Sequence, residues 1–101
     1  MHVVQLLLPR LDNEGQFFPD TVMREIREEL VARFGGVTAF TRAPAEGIWS
    51  DHGEKIRDEI VLVEVMVESL DLDWWRRFRA GLEDRLKQQS IVIRAHAMER
   101  L

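Results

Sequence analysis

Three polar side chains interrupt stretches of this chain that are otherwise apolar, and their types suit the binding or conversion of a small organic molecule. Glu64 lies in the valine-rich stretch 59–68, Gln5 in the stretch 3–8, and Arg94 in the stretch 91–97, where His96 follows. A carboxylate in a largely apolar cavity can serve as a general base, and a nearby arginine can hold an anionic group. We therefore take Glu64, Arg94 and His96 as catalytic candidates for a small acidic or phenolic substrate. The predicted ligand-binding residues are Gln5, Phe40, Arg42 and Met66.

A purely structural role for the same charges competes with this interpretation. Glu64 and Arg94 can pair with each other, or with their symmetry mates in an oligomer, and so fix the register of packing. Buried ion pairs more often specify geometry than add stability. The substitutions Glu64→Gln and Arg94→Met separate the two roles. If the chain forms a dimer, loss of ligand binding from an intact dimer would favour a binding site. Loss of the dimer itself would favour a structural ion pair.

Composition narrows the classes of function. The formal net charge of −4 argues against a nucleic-acid partner, which needs a basic surface to displace counterions. The absence of cysteine excludes disulfides, thiolate metal sites and a thiol nucleophile. His2, His52 and His96 lack metal-ligand spacing, so we predict neither a metal site nor a cofactor. No apolar run approaches the roughly 20 residues that span a bilayer, so we expect a cytoplasmic protein without a membrane partner.

Six elements are predicted to position these residues. Period-two alternation predicts strands over 3–8, 37–42, about 56–68 and 91–97. Apolar residues every three to four positions predict a first helix over about 20–34, and a second that Asp71 caps and that continues to about Leu86. Pro44 interrupts the second strand, as proline does at a bulge or an irregular edge, and strand character resumes at Ile48 and Trp49.

This order of elements closes as a ferredoxin-like βαββαβ fold of the α+β class, in one domain over residues 1–101. Right-handed crossovers give a four-stranded antiparallel sheet of order 4-1-3-2, with both helices on one face. We call the opposite face of the sheet the open face. Its residues are Val3, Gln5, Leu7, Thr38, Phe40, Arg42, Ile60, Leu62, Glu64, Met66, Glu68, Val92, Arg94, His96 and Met98.

The open face holds too many apolar side chains for water and too many polar ones for an ordinary core. We predict that a second copy covers it and gives a two-fold homodimer, the dimeric α/β-barrel arrangement. The alternative is that the segment around Trp49, or residues 98–101, folds over the same face within one chain.

Several local patterns accompany the order of elements. They are Phe18-Pro19 before the first helix, Arg33-Phe34-Gly35-Gly36 at its end with Thr38 after it, Gly47-Ile48-Trp49, and the valine-rich third strand. Over nearly its whole length the chain resembles small bacterial proteins of the dimeric α/β-barrel group. That group includes cofactor-independent monooxygenases, haem-degrading enzymes, muconolactone-isomerase-like proteins and stress-induced barrels. Haem-degrading members have Asn, Trp and His around one cavity. Here Gln5 would take the place of that asparagine, and no asparagine lies on a predicted strand, which argues against haem breakdown.

Two classes of function stay open. The first is a small dimeric, non-catalytic module that self-assembles or binds a small molecule or a partner. The alternative is a cofactor-independent enzyme of the dimeric α/β-barrel type, monooxygenase- or isomerase-like, that acts on a small organic substrate. A sealed cavity of roughly a few hundred Å³ holding Glu64, Arg94 or His96 would favour the enzyme. A solidly packed interface would favour the module.

Overall fold

The computed structural model describes residues 1–51 and 53–101, and it describes their side chains except at 41–45, 47, 49–51 and 54–58. The elements are β1 (His2–Pro9), α1 (Asp20–Phe34), β2 (Thr38–Asp51), β3 (Glu54–Val67), α2 (Leu72–Arg85) and β4 (Val92–Ala97). The strands form one antiparallel sheet in the order β2-β3-β1-β4, so the predicted ferredoxin-like topology is confirmed. No helix of the described residues is long and apolar enough to cross a membrane.

One end of each helix is set by a residue that the sequence indicates. At the C-terminus of α1, Gly35 adopts a left-handed φ of 85°, and its N–H donates to the carbonyl of Val31 at 2.8 Å. At the start of α2, the carboxylate of Asp71 accepts a hydrogen bond from the Trp74 N–H at 3.1 Å, so the predicted cap is confirmed. After α2 the chain turns through Lys87, which has a positive φ of 55° without being glycine.

The core lies between the helices and one face of the sheet. Alternate residues of β1 and β3 point to that face, and none of the core side chains is more than 6% exposed. These core residues are Val4, Leu6, Leu8, Ile26, Leu30, Val61, Val63, Val65, Val67, Trp75, Leu82, Leu86 and Ile91. The strict alternation on β1 and β3 therefore fixes which of their side chains reach the open face.

Strand β2 is longer than the sequence suggested. The predicted interruption is a shift of register between Phe40 and Ala45, after which β2 stays paired with β3 as far as Asp51. Strand β1 pairs with β3 only as far as Pro9, opposite Ile60, so β2 and β3 continue beyond it as a two-stranded ribbon. The backbone of Trp49 pairs with Ile56 inside this ribbon.

The segments proposed to cover the open face within one chain leave three of its apolar side chains exposed. The ribbon carries the backbone around Trp49 past the end of β1. The C-terminal segment begins beside the start of β1, where the Met98 N–H donates to the Met1 carbonyl at 3.0 Å. Phe40, Met66 and Val92 remain 45%, 53% and 51% exposed. The intrachain alternative is therefore wrong for these three side chains.

Candidate functional site

A row of polar side chains crosses the middle of the open face. In the sheet register Gln5 on β1 lies opposite Glu64 on β3 and opposite Arg94 on β4. The Gln5 Nε2 donates to Glu64 Oε2 at 2.8 Å, and the Arg94 Nε donates to Gln5 Oε1 at 2.7 Å. The predicted row is thus present, but Gln5 bridges the two charges, which do not pair directly within one chain.

Chemistry fixes the direction of this row. A carboxylate only accepts and a guanidinium only donates, so the Gln5 amide must turn its NH₂ towards Glu64 and its oxygen towards Arg94. Both bonds are charge-assisted, which strengthens them relative to bonds between neutral groups. The result is a fixed line with negative charge on β3 and positive charge on β4.

The row keeps hydrogen-bonding capacity towards the outside of the sheet. Gln5 and Glu64 are half-buried, and Arg94 is exposed. Arg94 has five N–H donors, and among the described residues only its Nε finds an acceptor. Glu64 accepts through Oε2 alone from these residues, which leaves Oε1 for another donor. The site can therefore receive both a donor and an acceptor from a ligand or a neighbouring molecule.

Apolar side chains surround the row on the same face. On either side of it along the strands lie Val3 and Leu7, both half-buried, with Met66 opposite Val3 and Leu62 opposite Leu7. Phe40 extends the Leu62 row onto β2, where it is 45% exposed. Half-exposed apolar groups around a hydrogen-bonded row of charged and amide side chains are typical of a surface that becomes covered.

One end of the open face borders a cleft of about 740 Å³. Val3, Glu64 and Met66 line it from the sheet, Thr38 lines it from the start of β2, and Arg100 lines it from the C-terminal segment. The predicted residues Glu64 and Met66 therefore share one cleft. Thr38 and Arg100 were not predicted as site residues.

The remaining predicted residues lie apart from this row. His96 is on β4 opposite Val3, one row away from Arg94 on the same face, and it is exposed. Its imidazole makes no hydrogen bond to the side chains that the structure describes. The side chain of Arg42 lies outside the described residues. Within the described ranges, no group of three His, Cys, Asp or Glu side chains is placed to hold a metal ion.

Thr38 and Arg100 had different signals in the sequence. Thr38 lies opposite Glu64, so it extends the polar row to all four strands, and only the register of β2 reveals this. Alternation along the strand predicts that Thr38 lies on the open face, but it does not predict which residue of β3 lies opposite. Arg100 follows the last strand, and no periodicity in the sequence indicates where it lies.

Comparison with known proteins supports the fold. No protein-family model matches the chain, and no curated protein matches it in sequence. Among solved structures, the divalent cation tolerance protein CutA1 from Thermus thermophilus is similar, with a TM-score of 0.64 at 17% identity over 99% of this chain and 86% of that one. A phage SAM lyase in complex with S-methyl-5′-thioadenosine is similar at a TM-score of 0.63 and 12% identity, over 94% and 79%. At these identities the likeness shows a small ferredoxin-like fold and carries no activity with it.

Proposed function

We propose that the chain is a small self-associating binding module of one ferredoxin-like domain, in which a second copy covers the open face and encloses the polar row. The observation that carries this proposal is the hydrogen-bonded row of Glu64, Gln5 and Arg94 within a face whose other side chains are mostly apolar and partly exposed. Such a face is poorly suited to water, because contiguous apolar patches are rare on monomers.

The chemistry of the row favours a second copy as the occupant. Glu64 and Arg94 lie on opposite sides of β1, each opposite Gln5. A two-fold axis that runs along β1 between two facing sheets exchanges the two sides of that strand. It sets Glu64 of one copy against the partner's Arg94, twice in each dimer. The charges of one chain are therefore complementary to those of an identical chain, as an isologous interface requires.

The same axis also matches the apolar rows. Leu62 and Val92 both lie opposite Leu7, so the axis sets Leu62 of one copy against the partner's Val92. Burial of the half-exposed Val92 and Met66 side chains then adds to association, at about 25 cal/mol per Å² of apolar surface. An axis across the strands would instead set Glu64 against the partner's Glu64, and like charges in contact oppose association.

The ligand site of this module is the cleft beside Glu64. Its sides combine the apolar Val3 and Met66 with the Glu64 carboxylate and the Thr38 hydroxyl. This combination suits a small organic molecule with a hydrogen-bond donor, because a few fixed polar groups in an apolar pocket orient a ligand. A second copy over the open face would close part of the cleft.

An enzyme is the second candidate function, and one feature of the proposed dimer favours it. Met66 and His96 both lie opposite Val3, so the axis along β1 sets Met66 against the partner's His96. The cleft would then contain a carboxylate from one copy and an imidazole from the other. Two such groups can act as base and acid on one small substrate. If so, Glu64→Gln and His96→Ala should each abolish turnover at protein concentrations high enough to keep the variant dimeric.

The oligomeric state tests the proposal directly. We expect sedimentation equilibrium of the unmodified chain to give a dimer at micromolar concentrations, and Met66→Arg to give a monomer. The matched control is Val31→Arg, a similar change at a 43% exposed position on α1, which should remain dimeric. Circular dichroism would check that both variants stay folded. A monomeric unmodified chain at 100 µM (an order-of-magnitude limit), or equal effects of the two substitutions, would contradict the proposal.

A further inference from the structure

Strand β4, which carries Arg94 and His96 on the open face, also forms one edge of the sheet. It pairs with β1 on one side, and in the part of the chain that the structure describes no strand pairs with its other side. An edge strand presents backbone N–H and C=O groups that can hydrogen-bond an added extended peptide. The edge by itself is common to open sheets, so a docking site requires features that select an occupant.

A groove between β4 and α2 provides the first such feature. Its volume is about 200 Å³, below the range typical of sites for drug-sized ligands. Val4 and Trp75 line it and are 1% and 6% exposed, whereas Leu72, which also lines it, is 53% exposed. A hydrophobic depression of this size beside an edge strand suits one apolar side chain of a bound segment.

Two arginines beside the groove provide the second feature. Arg76 and Arg79 lie one helical turn apart on α2, and both line the groove. The Arg76 Nη1 is 4.0 Å from Asp73 Oδ1, and the Arg79 Nε is 3.9 Å from Glu83 Oε1. These distances are too long for hydrogen bonds, and neither guanidinium donates one to the described residues.

The carboxylate nearest Arg79 is already engaged elsewhere. Glu83 Oε2 accepts a hydrogen bond at 2.8 Å from the N–H of Ile91, which leads into β4. Glu83 is thus held against the strand, and it approaches Arg79 only at the limit of an ion pair. Both arginines therefore retain the capacity to bind carboxylates in a bidentate way.

We propose that β4 accepts an extended acidic segment of a partner protein as a fifth strand of the sheet. Alternate side chains of such a segment point to the helix side, where an apolar one enters the groove and acidic ones meet Arg76 and Arg79. Main-chain hydrogen bonds to β4 supply affinity, and the groove and the arginines supply selectivity. The proposal does not require a second copy on the open face, because it uses the edge of β4 and the helix side of the sheet, although Arg94 borders the groove as well.

A second copy fits this edge less well. Antiparallel pairing of β4 with the same strand of another molecule can place Arg94 directly opposite the partner's Arg94. Like charges directly opposite on neighbouring strands are destabilising. The charge of the edge and of α2 therefore selects an acidic partner over self-pairing.

A synthetic peptide tests the proposal. The probe is fluorescein-labelled Thr-Glu-Thr-Leu-Thr-Glu-Thr, in which alternate positions carry Glu, Leu and Glu, and the control peptide has Gln in place of both Glu residues. Fluorescence anisotropy should show binding of the acidic peptide below about 100 µM. We expect the Arg76→Glu/Arg79→Glu double variant to bind about tenfold more weakly or worse. Arg77→Glu is the control for position, because Arg77 does not line the groove. This variant should bind the acidic peptide within twofold of the unmodified chain.

Backbone pairing has its own readout. Two further peptides carry N-methyl groups at alternate residues, in the two possible phases. Only one phase removes the N–H groups that would face β4, so one peptide should bind and the other should not. In an amide correlation spectrum the binding peptide should shift the signals of Val92–Ala97. Equal binding of both N-methylated peptides, an equal loss with Arg77→Glu, or no binding of the acidic peptide at 1 mM (roughly −4 kcal/mol) would overturn the proposal.

Discussion

The substitution Glu64→Gln tests the symmetry of the proposed dimer by the sign of its effect. It removes one charge but keeps an oxygen that can accept the hydrogen bond from Gln5, which is now 2.8 Å long. The shape of the side chain is retained. If the two-fold axis runs along β1, Glu64 faces the partner's Arg94 and the substitution weakens the dimer. If the axis crosses the strands, Glu64 faces its own symmetry mate, and the substitution tightens the dimer.

The size of the effect follows from burial and symmetry. Glu64 is half-buried and Arg94 is exposed, so each intermolecular pair is worth roughly 0.2–1 kcal/mol. The symmetry removes two pairs at once, so the total loss is about 0.5–2 kcal/mol. This corresponds to a rise in the dimer dissociation constant of roughly 2- to 30-fold. Arg94→Gln should give a similar rise, and the double substitution should cost less than the sum of the two.

Sedimentation velocity over a concentration series measures the dissociation constant of each variant. Glu28→Gln is the control for net charge, because Glu28 is exposed on α1 and remote from the open face. It should leave the dissociation constant unchanged within about twofold. Higher salt should narrow the difference between Glu64→Gln and the unmodified chain, because exposed charges are screened. A tighter Glu64→Gln dimer would refute the axis along β1, and an unchanged one would show that the row does not face the partner.

Three predictions concern the stability of the fold, and urea unfolding followed by circular dichroism checks each. Leu6→Ala should lower the free energy of unfolding by about 3–4 kcal/mol, because Leu6 is fully buried between β3 and β4; a loss below 1 kcal/mol would contradict the packing described. Asp71→Ala should cost about 1 kcal/mol through loss of the cap on α2, and Asp71→Asn, which can still accept, should recover most of it. Lys87→Gly should raise the free energy of unfolding by about 0.5–1 kcal/mol, because glycine adopts a φ of 55° without steric cost; a destabilised variant would show that the Lys87 side chain matters more than its backbone.

The sequence predicted the sheet because strands β1 and β3 had an unambiguous parity. Valines at 61, 63, 65 and 67 must share one face, and all four are buried in the core. Once β1 and β3 are neighbours, Gln5 and Glu64 must lie on the opposite face. Whether Gln5 lies directly opposite Glu64 depends also on the register of β1 against β3. A shift of two residues in that register would leave both side chains on the same face but would separate them. Parity was therefore predictable from the sequence, and adjacency along the strands was not.

Other features depend on the path of the backbone and left weaker signals. Pro44 indicated an interruption of β2 but not that the chain would recover its pairing with β3 after a shift of register. The cleft also depends on where the segment after β4 runs, and at the start of that segment the Met98 N–H donates to the Met1 carbonyl. The shifted pairing of β2 with β3 and the bond between Met98 and Met1 do not follow from periodicity. Each joins residues distant in sequence through backbone groups, and several different side chains would permit the same backbone geometry.

Gln5 explains why the polar row can serve an interface better than a direct ion pair. A direct Glu64–Arg94 pair would satisfy both charges within one chain and leave little to attract a partner. With the neutral amide between them, the charged groups come from strands roughly 10 Å apart and do not touch each other. Each bonds to one side of the amide and keeps further capacity outwards. The row is then a dipole across β1, and two such dipoles attract most strongly when they face each other antiparallel, as the axis along β1 arranges them. In the proposed dimer, a fixed amide in the central strand would therefore give the sheet a preferred orientation for its second copy.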